Sequence, residues 1–142
     1  MIIIEQRRKV AQEWTAAGQI VWSFRFDTPA WDAKENEGAL YGVEVGYVFQ
    51  NIAGKLGDLR AMKAHLMVAE SIGTYYVNFI NRHDPNPAVD YQTGSVDLPK
   101  WPVYKDEAVN MAFHPDGLHT EKDDWRSEGI RFINSISREI LA

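Results

Sequence analysis

The residues able to do chemistry in this chain are few. It has four histidines, His65, His83, His114 and His119, and no cysteine. Without thiols there is no Cys nucleophile, no disulfide scaffold and no Cys-bearing zinc site. The histidines form no H-E-x-x-H or other short ligand spacing. His114 and His119 flank Pro115-Asp116-Gly117, a turn that suits a hairpin more than a chelate. With no convincing third ligand, neither a metal nor any other cofactor is expected. His83 closes a helical stretch, where a loop role is the default. His65 lies inside a helical pattern, one position before Leu66 of its apolar stripe, and could border a pocket. Glu44 could act as an acid or base only if burial or a like charge raised its pKa. The competing use is structural, in a salt bridge or hydrogen bond with Arg25.

Trp22, Phe24, Phe26, Tyr47, Phe49, Tyr75, Tyr76 and Phe113 are many aromatics for a small domain. Most serve a core; some would suit a flat apolar ligand with a few polar handles. There is no Walker-type loop, no G-x-G-x-x-G and no basic–aromatic interleaving, so nucleotide and RNA binding have no support. Fifteen basic against twenty acidic residues give a net charge of −5, which also argues against nucleic acid.

The elements that must position these groups follow from periodicity. The 142 residues are 45% hydrophobic and 25% charged, enough for one domain (1–142) with a real core. Met1 to Ile4 is the longest apolar stretch near the start and is followed by charges, so neither a signal peptide nor a membrane span is expected. The expected location is the cytoplasm. Residues 3–17 carry apolar positions at helical spacing, and Gly18 is a natural stop. Ile20 to Phe26 alternates as a strand with one buried face, and residues 30–42 read as a loop. The strongest helix runs from Asp58, with Leu59, Met62, Leu66, Ala69, Gly73, Tyr76 and Ile80 on one face. Residues 82–100 read as a loop, and Val109 to Phe113 as a second strand. Asp123 or Asp124 would cap a last helix with Trp125, Phe132, Ile133, Ile136 and Ile140 as its apolar positions. The fold class is α/β, with few strands packed on long helices. Two strands are marginal alone. More strands must come from the loops or from a second chain, and association is favoured.

The runs Val21-Trp22-Ser23-Phe24-Arg25-Phe26-Asp27, Gly38 to Phe49 and Tyr76-Val77-Asn78-Phe79, with further motifs in order and nearly chain-long, resemble the C-terminal part of type B carboxylesterases, the α/β-hydrolase branch that includes cholinesterases and fungal lipases. Val21-Trp22-Ser23-Phe24-Arg25-Phe26-Asp27 looks like that family's penultimate core strand. The run Gly38 to Phe49, GALYGVEVGYVF, looks like the stretch carrying its catalytic His. Tyr76-Val77-Asn78-Phe79, Asp84-Pro85-Asn86, Trp101-Pro102-Val103-Tyr104, and Trp125-Arg126 with Gly129-Ile130 complete the series. The resemblance implies a reduced, C-terminal portion of an α/β-hydrolase fold.

It does not bring the family's chemistry. Ester hydrolysis there needs a Ser on a G-x-S-x-G turn, an acid, a His and a Gly-rich oxyanion hole. The sequence has no G-x-S-x-G, and Tyr41 stands at the position of the His. A phenol, with a pKa of about 10, cannot take a proton from Ser near neutral pH. The resemblance makes Tyr41 face the parent cavity, either as a donor to a small polar ligand or as an aromatic that drifted in once catalysis was lost. Glu44 would support the same loop. Three functions remain open. One is a repurposed enzyme that uses Tyr41, Glu44 and His65 for cyclisation, isomerisation or dehydration of a small apolar metabolite. The others are a non-catalytic accessory subunit and a C-terminal fragment of a longer esterase; Met1 favours a real small protein over a proteolytic piece. The expected partner besides the metabolite is a second copy, in a homodimer covering Trp22, Phe24 and Phe26.

Overall fold

The computed structural model describes residues 2–30, 33–34, 37–51, 63–88, 98–105 and 107–140. The expected helix start at 58–62, with Leu59 and Met62, lies outside them. The chain divides into two compact units, Met1–Ser23 with Val103–Asn110 and Glu121–Ala142, and Phe24–Pro102 with Met111–Thr120.

The first unit contains α1 (Ile2–Ala16) and α4 (Ser127–Ile140). Helix α1 ends as its sequence predicts: Gly18 takes φ 78°, and its N–H donates to the Thr15 carbonyl at 3.0 Å. The Thr15 hydroxyl then donates to the Tyr104 carbonyl at 3.0 Å. Asp123 is not a helix cap. Its carboxylate, 1% exposed, receives Arg7 Nη2 at 2.6 Å, Arg8 Nη2 at 3.2 Å, Asn110 Nδ2 at 3.1 Å and the Tyr104 hydroxyl at 2.9 Å. Burying a carboxylate is costly unless donors surround it, and here four side chains do. On α4, Ile130 is buried while Phe132 is exposed. The expected strand does not reach Ile20, which is 69% exposed. Residues 20–23 lie outside any strand; the Val21 carbonyl accepts the Tyr104 N–H at 2.7 Å, and the Ser23 hydroxyl meets the Arg7 guanidinium. Bonds to a loop and to a helix side chain replace the ladder there.

The second unit holds β1 (Phe24–Phe26), α2 (Val43–Val48) and α3 (Lys63–Arg82). Two further strands, β2 (Val109–His114) and β3 (Gly117–Lys122), complete a three-stranded sheet of order β1-β2-β3. Strand β1 runs parallel to β2, with Phe24 opposite Met111 and Phe26 opposite Phe113. A parallel pair needs a long crossover, and α2 and α3 lie within it. The third strand comes from the chain itself, which corrects the count of two. It escaped detection because GLHTEK has no apolar alternation and its burial is slight. Its hairpin is the one the Pro115-Asp116-Gly117 turn implied: His114 Nδ1 accepts the Asp116 N–H at 3.1 Å, and Gly117 takes φ 144°.

The core of this unit is aromatic. Phe24 meets Tyr76, Trp101 and Phe113 edge to face at 6.3, 6.0 and 5.9 Å, and Tyr75 stacks likewise on Trp101 at 5.1 Å. Asn86 ties the Trp101 backbone at both ends, accepting its N–H at 2.7 Å and donating to its carbonyl at 3.0 Å. Helix α3 buries His65, Val68, Ala69, Ile72 and Tyr75. That face is rotated about one residue from the stripe read in the sequence, since Ile80 is 71% exposed. Helix α2, six residues entered at Gly42 with φ 80°, is too short to leave a periodic signal.

Candidate functional site

The exposed edge of the predicted stripe is not wasted. Gly73, Tyr76, Val77 and Ile80 of α3, with Glu44, Val45, Val48 and Phe49 at α2, line a groove of about 340 Å³. Gly73 lets the two segments approach: a Cβ there would stand 3.0 Å from Gln50 Nε2 and 3.5 Å from the Val48 carbonyl. The lining surface is almost wholly apolar, and Glu44 and Tyr76 are the residues with polar side-chain groups among the described residues that line it. Burial, and then the charge of Glu44, raise the Tyr76 pKa above its ordinary 10.0. The phenol therefore keeps its proton at neutral pH.

The three residues singled out from the sequence occupy three different environments. Glu44 lines the groove. Tyr41 is 87% exposed and is not among the groove's lining residues. His65, 6% exposed, is buried beneath α2, its Nδ1 2.6 Å from the Tyr47 hydroxyl. Burial lowers the His65 pKa and pushes Tyr47 up to about 12, so the phenol donates to a neutral imidazole. The Tyr47 ring packs on Phe26 at 5.0 Å. This pair joins α2 to α3 and holds the groove's two walls together. Arg25, weighed as a partner for Glu44, has a carboxylate close by in Asp27 at 2.7 Å.

In the sequence Tyr76 and Phe49 read only as aromatics, and Gly73, Tyr76 and Ile80 as part of a core stripe, yet all four line the groove. Val45 and Val48 sit on a helix that left no signal. Among the described residues, no group of three or more His, Asp or Glu could hold a metal ion. No described helix is long and apolar enough to cross a membrane.

A model of the carboxylesterase family matches residues 1–125. The chain belongs to that family. The fold agrees: crystal structures of the Geobacillus stearothermophilus carboxylesterase at pH 6.2 and pH 6.8 both match it with a TM-score of 0.60, at 22% and 23% identity. Each match covers 84% of this chain, which spans only 23% and 24% of those carboxylesterase chains. No curated protein matches the sequence. The chain is thus a carboxylesterase-like α/β portion, as its motifs implied.

Proposed function

We propose that this chain is a carboxylesterase-family protein that does not hydrolyse esters on its own and holds a small apolar metabolite in the α2–α3 groove. The observation that carries the reading is the composition of the groove, an almost wholly apolar surface formed by Val45, Val48, Phe49, Val77 and Ile80 with Glu44 and Tyr76 beside them. Glu44 and Tyr76 carry acid–base groups next to that surface, of the kind that isomerisation, cyclisation or dehydration can use without a covalent nucleophile. The absence of G-x-S-x-G from this sequence, and an exposed phenol at Tyr41 where the family carries its His, support the loss of hydrolysis. A cytoplasmic location belongs to the same proposal and rests on the cysteine-free, acidic composition.

The test combines turnover and binding. Purified chain should show no hydrolysis of simple aryl esters above background, and should bind an apolar fluorophore saturably. Val77→Trp, which fills the groove from an exposed position, should abolish that binding. Hydrolysis that survives Tyr41→Phe and repurification would overturn the first half. Binding indifferent to Val77→Trp would overturn the second.

The partial span of the matched carboxylesterases favours a second reading, in which the chain completes a larger carboxylesterase fold as a non-catalytic subunit or as the C-terminal part of a longer polypeptide. Solubility only in the presence of that larger partner would select it over the first.

A further inference from the structure

The shape of the groove, together with its apolar surface, narrows what it would take. Along α3 its wall is built from Gly73, Tyr76, Val77 and Ile80, spaced i, i+3, i+4 and i+7. At 1.5 Å per residue those positions run for roughly 10 Å. Val45, Val48 and Phe49 form the opposite wall. At Gly73 the two walls almost meet, because a methyl group there would stand 3.0 Å from Gln50 Nε2 and 3.5 Å from the Val48 carbonyl. At the far end Ile80 is largely exposed. The groove is therefore a trough, pinched at Gly73 and open to water at Ile80. The Tyr76 ring is held edge to face on Phe24 at 6.3 Å, which fixes that part of the wall. Valines and an isoleucine supply most of the rest, so the lining offers aliphatic contact and little to hold a polar group. A hydroxyl or amide pressed into it without a partner would lose its hydration uncompensated. The polar end of a ligand is better left in water.

We infer that the α2–α3 groove takes the alkyl tail of an amphiphile, entering from the Ile80 end with its methyl terminus toward Gly73 and its polar head outside. This rests on the groove being the binding site proposed above, and names the part of the ligand that it reads. With bonds of about 1.5 Å, a staggered chain of roughly eight carbons spans the trough. The volume of about 340 Å³, at the small end of the usual range for ligand sites, suits such a chain better than a polycyclic body. Affinity then comes from apolar burial, adds along the chain until the trough is full, and is indifferent to the head.

The experiment titrates two series at pH 7 and physiological salt, each probe below its aggregation limit. One keeps the hydroxyl head and lengthens the chain from butanol through hexanol and octanol to decanol. The other keeps the octyl chain and changes the head, as octylamine, octanol and octanoate. Naphthol is the planar comparison. Binding is read by displacement of an apolar fluorophore and by the amide chemical shifts of Gly73, Val77 and Ile80. Affinity should rise about two- to fourfold per added CH2, the scale of burying a methylene, and level off beyond roughly eight carbons. The three octyl probes should agree within about threefold once salt screens the net charge of −5, and naphthol should bind more weakly than octanol. Gly73→Ala, which fills the pinched end, should bring the plateau forward to a shorter chain; if that variant does not fold, the wild-type series decides alone. The tail reading is wrong, and the apolar groove stands, if affinity is flat with chain length or still climbs at decanol. It is equally wrong if the head shifts affinity by more than about threefold, if naphthol binds tighter than octanol, or if a folded Gly73→Ala leaves the plateau in place. If no probe binds, or if Val77→Trp leaves all of them unaffected, the groove is not the site and both proposals fall.

Discussion

At the scale of single residues, the best-satisfied side chain is Asp123, whose partners come from residues 7, 8, 104 and 110. Its burial opposes ionisation. The hydrogen bonds and charge of Arg7, with the bonds from Asn110 and Tyr104, outweigh that and hold its pKa below the ordinary carboxylate value. Removing one partner of a buried ion pair leaves the other charges stranded, so Asp123→Ala should cost about 3–5 kcal/mol, read as a lower urea midpoint at similar slope. A loss under about 1 kcal/mol would mean the cluster is solvated. Because the folded pKa lies below the unfolded one, Asp123 stabilises the fold at neutral pH, and that contribution falls away as pH drops below about 3.9. His65 behaves alike at higher pH. Its folded pKa is lowered, so the unfolded chain takes the proton first and stability declines as pH falls below about 6.5. His65→Gln should flatten that part of the pH–stability curve; a curve that keeps its slope between pH 6.5 and 5 in the variant would assign it to another group. Neither role was legible in the sequence. Asp123 looked like a cap because it precedes a helical stretch, whereas its strongest partner is 116 residues away. His65 was legible as a border residue, but its partner Tyr47 belongs to a helix that gives no periodic pattern.

At the scale of elements, long periodic segments were legible and short ones were not. Helices α1 and α4 and strand β2 fall where their apolar spacing puts them. The strand read as Ile20–Phe26 shortened to Phe24–Phe26 because alternation describes side chains, not the backbone partners a ladder needs. Helix α3 is the instructive case. Two overlapping stripes run along it, one through Leu66, Ala69, Gly73, Tyr76 and Ile80, the other through His65, Val68, Ile72 and Tyr75. Only packing decides which is inside. Ile72 is fully buried and Ile80 largely exposed. Ile72→Ala should therefore cost about 2–5 kcal/mol, and Ile80→Ala less than about 1 kcal/mol. Thermal or urea unfolding of the two variants checks the assignment, and similar losses at both sites would mean that the whole helix surface is enclosed. Ala69 and Gly73 of the expected stripe are buried as read, and the same rotation puts only its later part, Gly73, Tyr76 and Ile80, along the groove, so the site was written in the sequence but read as packing.

At the scale of the whole molecule, the family match covers most of this chain while the chain covers about a quarter of the structures it resembles. Such a portion leaves apolar residues without the neighbours a full fold would give them. The aromatic strand was expected to be the bare surface, yet Phe24 and Phe26 have ring partners in Tyr76, Trp101, Phe113 and Tyr47. The uncovered large side chains lie elsewhere, among them Trp14 and Val10 of α1, 60% and 44% exposed. Isolated exposed apolar residues are ordinary, but tryptophan is one of the residue types enriched among those that anchor interfaces. We therefore still propose a homodimer, with α1 rather than β1 at its centre. Light scattering at micromolar concentration should give twice the 16.2 kDa chain mass. Trp14→Glu, which costs the fold little at so exposed a site, should return the protein to monomer. A wild-type monomer that binds no apolar dye would mean that the chain covers its own apolar surface and that no partner is required. A dimer untouched by Trp14→Glu would move the interface off α1.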